Sequence, residues 1–395
     1  MTSFSRRETP YLALAAAATA ALPLPAAARA GTAPESLNGL AAAKGLRFGS
    51  CLGTGPSGAP LQPGVTAKRA DQFDDPALRA LFVRECGILV PENELKWYAI
   101  RPDATTFDFA RADTLMAFVA DNGLLVRGHT LLWNRDEWMP AWIKTYDFGP
   151  RPGTEAARLL TEHITTVCRR YPQIFAWDVV NETIDPKTGG MTESVFTRYI
   201  GPEVIDIAFQ AARAAAPHAQ LVYNDYMSWG PGNAKHRAGV LALLERLKED
   251  GVPIDALGVQ AHIGPGASAS TVTLDGDNEA EWRKFLDAAT AAGLDLVITE
   301  FDYGDQTLPP DIALRDAAVA SATRHYLDVM LSYRQLRYVM AWGLVDKYSW
   351  LRERLPRADG LPKRPNPYDD DYRPKKLRAA IADAFRAAPV RPWLT

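Results

Sequence analysis

The stretch Ala176-Trp177-Asp178-Val179-Val180-Asn181-Glu182 is an apolar run that stops abruptly at an amide and a carboxylate. A strand this apolar is one covered on both faces, as in a parallel sheet flanked by helices. Working outward, comparable runs occur at Leu46–Ser50, Ile88–Pro91, Leu125–Gly128, Gln220–Asn224, Ala256–Gln260, Asp295–Thr299 and Arg337–Ala341. They recur about every 35 to 50 residues, and helical patterns lie between them. In Glu155–Arg170, for example, Ala157, Leu160, Ile164 and Val167 follow helical spacing. Arg169 and Arg170 stand in its last turn and Pro172 lies beyond its end, both stop signals. Eight strands alternating with helices predict an α/β fold, a single-domain (β/α)8 TIM barrel over residues 31–395. No low-complexity linker divides the chain. Gly53–Gly64 and Gly264–Asp277 read as long irregular loops after the first and sixth strands.

The first thirty residues read differently. Arg6-Arg7, the Ala/Leu-rich stretch from Tyr11 to Ala21 and the small-x-small site Ala28-Arg29-Ala30 have the pattern of a twin-arginine export signal. Thr9-Pro10 departs from the usual apolar pair. The apolar run is too short to span a membrane, so a periplasmic or secreted protein is expected. The net charge of -3 gives no ground for a nucleic-acid or anionic-membrane partner. Cys51, Cys86 and Cys168 lack metal-ligand spacing, and buried free thiols are expected of them. The 10 tryptophans and 14 tyrosines point toward sugar, since aromatic faces stack on pyranose rings.

Polar residues gather where the strands end: Glu92, Asn93 and Lys96; His129 and Trp133; Asn181 and Glu182; Asn224 and Asp225; Gln260 and His262; Glu300 and Asp302; Trp342. In a barrel those ends form one ring around one cavity. A single polar residue there is often only a cap for the next helix, but seven strands doing so is a site. Glu182 and Glu300 end strands four and seven, on opposite sides of the mouth, as glycoside hydrolysis requires of its two carboxyl groups. Glu92, Glu94 and Asp225 compete for those roles; Glu193 and Glu203 read as solvated. His129 and His262 could ligate a metal with Asp225 and Glu300, but no His-x-His or His-Glu-x-x-His spacing occurs, and neither a metal nor a cofactor is expected. Trp97, Trp138, Trp142 and Trp229 stay open between packing and sugar binding, and His163, His218, His236 and His325 read as structural.

The runs Pro91-Glu92-Asn93-Glu94-Leu95-Lys96-Trp97, Gly128-His129-Thr130-Leu131-Leu132-Trp133 and Trp177-Asp178-Val179-Val180-Asn181-Glu182 resemble glycoside hydrolase family 10 endo-β-1,4-xylanases. So do Tyr223-Asn224-Asp225-Tyr226, Gly258-Val259-Gln260-Ala261-His262, Ile298-Thr299-Glu300-Phe301-Asp302 and the run from Trp342 to Leu351. The order is kept from about Leu37 to Phe385. The resemblance implies a retaining double displacement on xylan by a monomeric enzyme. Glu300 would be the nucleophile, Glu182 the acid/base, Asn181 the partner of the sugar 2-hydroxyl, and His262, held by Asp302, the group that orients Glu300. Glu92, Asn93, Lys96, His129, Trp133, Gln260, Trp342 and Trp350 would line the non-reducing-side subsites, with Tyr226 stacking beyond the cut. The segment Asn134–Trp142 departs from the family pattern: it is lengthened, and Asp136 takes the place of a sugar-binding glutamine. A β-1,4-glucanase or mixed-specificity enzyme on the same site, and an inactive glycan-binding protein, are the alternatives.

Overall fold

The computed structural model describes residues 33, 35–55, 72–264, 276–354 and 356–392. The leader and most of the two Gly-rich loops lie outside the described residues. Eight parallel strands pair edge to edge: β1 (Arg47–Leu52), β2 (Ile88–Pro91), β3 (Leu125–Gly128), β4 (Ile174–Asn181), β5 (Gln220–Asp225), β6 (Ala256–Val259), β7 (Asp295–Tyr303) and β8 (Leu336–Ala341). β8 pairs with both β7 and β1, which closes the barrel. Crossover helices follow in turn: α1 (Pro76–Glu85), α2 (Ala110–Asn122), α3 (Pro152–Arg170), α4 (Val204–Ala215), α5 (Ala234–Glu249), α6 (Gly276–Ala291), α7 (Ile312–Leu331) and α8 (Lys376–Ala387). All eight expected strands are present. Helix α3 begins three residues before the expected Glu155, because Pro152 at its first position lacks an N–H that would need a partner there.

Alternation along each strand sorts side chains into two cores. Leu221 and Tyr223 of β5, and Val339 and Ala341 of β8, face the helices in the larger core. Val222, Ala256, Val297, Tyr338 and Met340 fill the barrel interior with Cys51, Ile88 and Val90. Below the cleft that interior is also charged. Arg127 donates to Asp178 through Nη2 and to the Tyr338 hydroxyl through Nε, and both ionic side chains are fully buried. Losing one partner of such a pair leaves an uncompensated charge, at a cost of about 3–5 kcal/mol. All three cysteines are buried free thiols, as expected. Among the described residues no helix is long and apolar enough to cross a membrane.

The register fixes the mouth of the barrel. Asn181 pairs with Asn224, Asn224 with Gly258, and Gly258 with Val297. The ladder continues one residue past several strands: Glu182 N donates to Asn224 O, Gln260 N to Asp225 O, Glu300 N to Gln260 O, and Trp342 N to Phe301 O. Two-residue extensions add to it. Leu132–Trp133 pairs with Val180–Asn181, and His262–Ile263 with Asp302–Tyr303. Backbone hydrogen bonds therefore set the height of each polar residue in the ring.

Candidate active site

Glu182 and Glu300 meet in one cleft with different surroundings. Glu182 has a positive φ of 53°, a left-handed conformation that costs a residue with a Cβ roughly 1–2 kcal/mol. Two bonds brace it: its N–H to Asn224 O at 2.9 Å, and Arg135 Nε to its carbonyl at 3.0 Å. The carboxylate accepts from Trp133 Nε1 at 3.0 Å and from Gln260 Nε2 at 2.8 Å. Burial raises this carboxyl above the usual range; Arg135 and Gln260 oppose the rise, while Asp225 and Glu300 add to it.

Glu300 is set the other way. Its Oε1 accepts from Asn224 Nδ2 at 2.8 Å, His262 Nε2 stands 3.4 Å from Oε2, and His129 is 4.0 Å away. Burial works to raise it, but His262, His129 and Lys96 together hold it at about 2. His262 is in turn 2.8 Å from Asp302 Oδ1, and the second Asp302 oxygen accepts from Trp350 Nε1 at 2.7 Å. Burial lowers the imidazole, yet Asp302 and Glu300 outweigh it and raise the ring to about 10. His262 thus stands as an imidazolium between two carboxylates.

The remaining predicted residues line the same cleft. Lys96 donates to Asn93 Oδ1 at 3.1 Å and lies 5.0 Å from the Trp133 ring centroid and 5.9 Å from that of Trp342. Burial lowers its pKa against the pull of Glu300, Glu92 and Glu182. Glu92 accepts from Gln72 at 2.6 Å. His129 is 2.8 Å from Asp178, which joins it to Arg127 below, and its ring meets Trp342 edge-on. Trp133 stacks on Trp138 with centroids 4.4 Å apart, a rigid aromatic wall. Tyr226 accepts from Arg135 Nη2 at 2.9 Å. The open tryptophans now divide: Trp138 backs Trp133, Trp97 stacks on His163, Trp229 packs on Tyr326, and Trp142 donates to Arg101 O.

Asp136, which stands in the place of a sugar-binding glutamine, has its carboxylate bonded to a neighbouring helix. Its carboxylate accepts from Val195 N at 2.6 Å, at the start of the short helix Val195–Ile200, and from Arg198 at 2.8 Å. Backbone N–H groups at the start of that helix favour an anion. The main omission from the expected site is Asn224. It donates to both Asn181 Oδ1 (2.9 Å) and Glu300 Oε1 (2.8 Å), and accepts from Thr299 at 2.7 Å. Its place at a strand end was the available signal. Asn181 Oδ1 is engaged by Asn224 and, at 3.4 Å, by Gln260, which leaves the Asn181 NH2 group for a ligand. Asp178 and Arg135 were also unforeseen, because their bonds run between distant segments.

The model of glycosyl hydrolase family 10 matches residues 44–384. The chain belongs to this family. As a family 10 member it is a glycoside hydrolase, and similar proteins span most of it. Endo-1,4-β-xylanase B of Thermotoga neapolitana is 32% identical over 301 residues, 76% of this chain and 81% of that one. Endo-1,4-β-xylanase 5 of Pyricularia oryzae is 30% identical over 362 residues, 90% and 80% of the two chains. Two crystal structures at 30% identity, each covering 89% of this chain, superimpose with a TM-score of 0.74: native xylanase 10B of Thermotoga maritima (98% of its chain) and xylanase 10B of Thermotoga petrophila in complex with xylobiose (97%). The family 10 assignment agrees with the closed eight-stranded barrel.

Proposed function

We propose that this enzyme is a retaining endo-β-1,4-xylanase that cuts internal xylosidic bonds by double displacement, working as a monomer without metal or cofactor. The observation that carries the reading is the opposed setting of two glutamates in one cleft: Glu182 raised by burial, Glu300 held at about 2. An environment that separates two carboxyl groups in this way assigns one as acid and the other as nucleophile. Glu300 attacks the anomeric carbon while Glu182 gives its proton to the departing glycosidic oxygen. The product is a xylosyl ester on Glu300 and a free reducing-side fragment. Esterification removes the Glu300 charge, so Glu182 loses a neighbour that raised it and can act as a base. It then takes a proton from water, which attacks the anomeric carbon and releases Glu300. Asn181, fixed by Asn224, donates to the sugar 2-hydroxyl. Lys96, Glu92, Asn93, His129, Gln260, Trp133, Trp342 and Trp350 bind the non-reducing side, and Tyr226 the other.

Xylan as substrate is supported by the relatives, whose names are those of endo-1,4-β-xylanases, and by the xylobiose in one of the similar structures. A β-1,4-glucanase would have to seat a hydroxymethyl group beside Trp342 and Trp350; initial rates on xylan and on a soluble cellulose derivative separate the two. The roles are tested by Glu182→Ala. Aryl xylobiosides with good leaving groups need little protonation, so their turnover should fall far less than that of xylan. Equal loss on both refutes the assignment. Export by the leader Met1–Ala30 is part of the proposal, tested by sequencing the N-terminus of protein recovered outside the cytoplasm.

A further inference from the structure

Arg135 belongs to the segment that departs from the family pattern, and nothing in the expected chemistry calls for a cation there. Its side chain contacts the acid/base and Tyr226. Nε donates to the Glu182 carbonyl at 3.0 Å, bracing the left-handed backbone that aims the carboxyl group. The same nitrogen stands 3.8 Å from Glu182 Oε2. Nη2 donates to the Tyr226 hydroxyl at 2.9 Å, and the guanidinium carbon lies 5.6 Å from the centre of that ring. One planar fork therefore ties the acid's backbone, its charge and the aromatic residue expected on the leaving-group side. The side chain keeps 18% of its surface exposed, so it forms part of the cleft wall.

We infer that Arg135 is a positioning residue that sets the acidity of Glu182 and couples it to Tyr226. The inference rests on the reading of Glu182 as acid/base. Glu182 faces Arg135 from the loop after β3, Tyr223, Asp225 and Tyr226 from β5 and its end, Glu300 from β7, and Lys96 from the loop after β2. Arg135 and Lys96 are the cations in that set, and only Arg135 also holds the Glu182 backbone. A positive charge 3.8 Å away favours the ionised carboxylate; even with the screening of bulk water this amounts to about 0.8 of a pH unit. Without the charge Glu182 holds its proton to higher pH. Glycosylation needs the protonated form, so the alkaline limb of kcat/KM moves up.

The experiment is the pH dependence of kcat/KM on xylotetraose for Arg135→Gln and Arg135→Lys beside the parent enzyme, with Glu182→Ala assayed in parallel on xylan and an activated aryl xylobioside. The alkaline limb should rise by roughly one pH unit in Arg135→Gln, and Arg135→Lys, which keeps the charge, should return most of the way. Activity lost equally at all pH values, with the limb in place, means simple loosening and overturns the inference. A limb that moves equally in both variants overturns it too, since charge would not be the cause. If Glu182→Ala spares neither substrate, the acid/base reading itself has failed, which is a separate result. Should Arg135→Gln not fold, Arg135→Met keeps the apolar stem and carries the same comparison.

Discussion

Replacing Asp302 by asparagine tests whether a buried charge relay keeps the nucleophile ionised. Trp350 Nε1 can only donate, and it lies 2.7 Å from Asp302 Oδ2. The new amide must therefore turn its oxygen to Trp350 and its NH2 to His262 Nδ1. That nitrogen must then accept, so His262 can carry a proton only on Nε2 and is neutral. The parent imidazole, raised to about 10 by Asp302 and Glu300 against its burial, favours the charged form at pH 7. In the variant Glu300 keeps a hydrogen-bond donor but loses the nearest cation. If its carboxyl returns from about 2 toward an ordinary value of about 4.3, the ionised fraction at pH 4 falls from about 99% to about one third. The acid limb of kcat/KM should then move from below about pH 3 to about pH 4–5, while activity near neutrality is lost far less. Initial rates on an aryl xylobioside with a good leaving group read this limb without relying on Glu182. Nitrogen-15 NMR of the imidazole reads the tautomer independently. A neutral His262 with an unmoved acid limb refutes the relay argument, and a doubly protonated His262 in the variant refutes the tautomer argument. The linkage has the matching sign for stability. A depressed carboxyl contributes fully above its unfolded value and loses that contribution as pH falls through its folded one, so on account of Glu300 the variant should be less stable than the parent near neutrality, by a margin that closes as pH falls from about 4 toward 2.

Two further outcomes follow from the same contacts. Asn224→Ala removes the donor shared by Asn181 and Glu300 and strands the Thr299 hydroxyl, so kcat/KM on xylotetraose should drop by about 10- to 100-fold. The buried unpaired groups should also cost about 1–3 kcal/mol in chemical denaturation. Asp136→Ala should cost about 1–2 kcal/mol of stability through the lost bonds to Val195 N and Arg198, with unchanged kinetics on xylotetraose; a raised KM would return Asp136 to the sugar site.

Much of this architecture is legible from local pattern. The runs ending at Glu182, Gln260 and Glu300 are apolar because they are covered on both sides, and eight such runs leave few arrangements besides a barrel. Their ends had to converge, which is why the two glutamates, Asn181, His262 and Asp302 could be placed together before any coordinates. What resisted reading is what depends on direction. Asp136 fills a family position in sequence, yet its carboxylate is bonded to the Val195 N–H and to Arg198. Asn224 stands in the ring of strand ends, but its role lies in two donor bonds to strands β4 and β7, set by register rather than by any spacing in its own strand. Arg135 had no signal at all, since a lone arginine in a loop is ordinarily solvated.

Gly258 is paired with Asn224 in the ladder, and a Cβ placed on it would lie 2.5 Å from Asn224 Oδ1 and 3.0 Å from Val222 Cγ1. The oxygen in question is the one that takes the Thr299 hydroxyl. The smallest possible side chain at position 258 would push the amide off its perch and tilt both of its donors at once. The residue with nothing to offer chemically is thus the one whose emptiness the chemistry occupies. Alanine there should leave a sound barrel around a misaligned machine, with the damage visible in turnover well before it is visible in a melting curve.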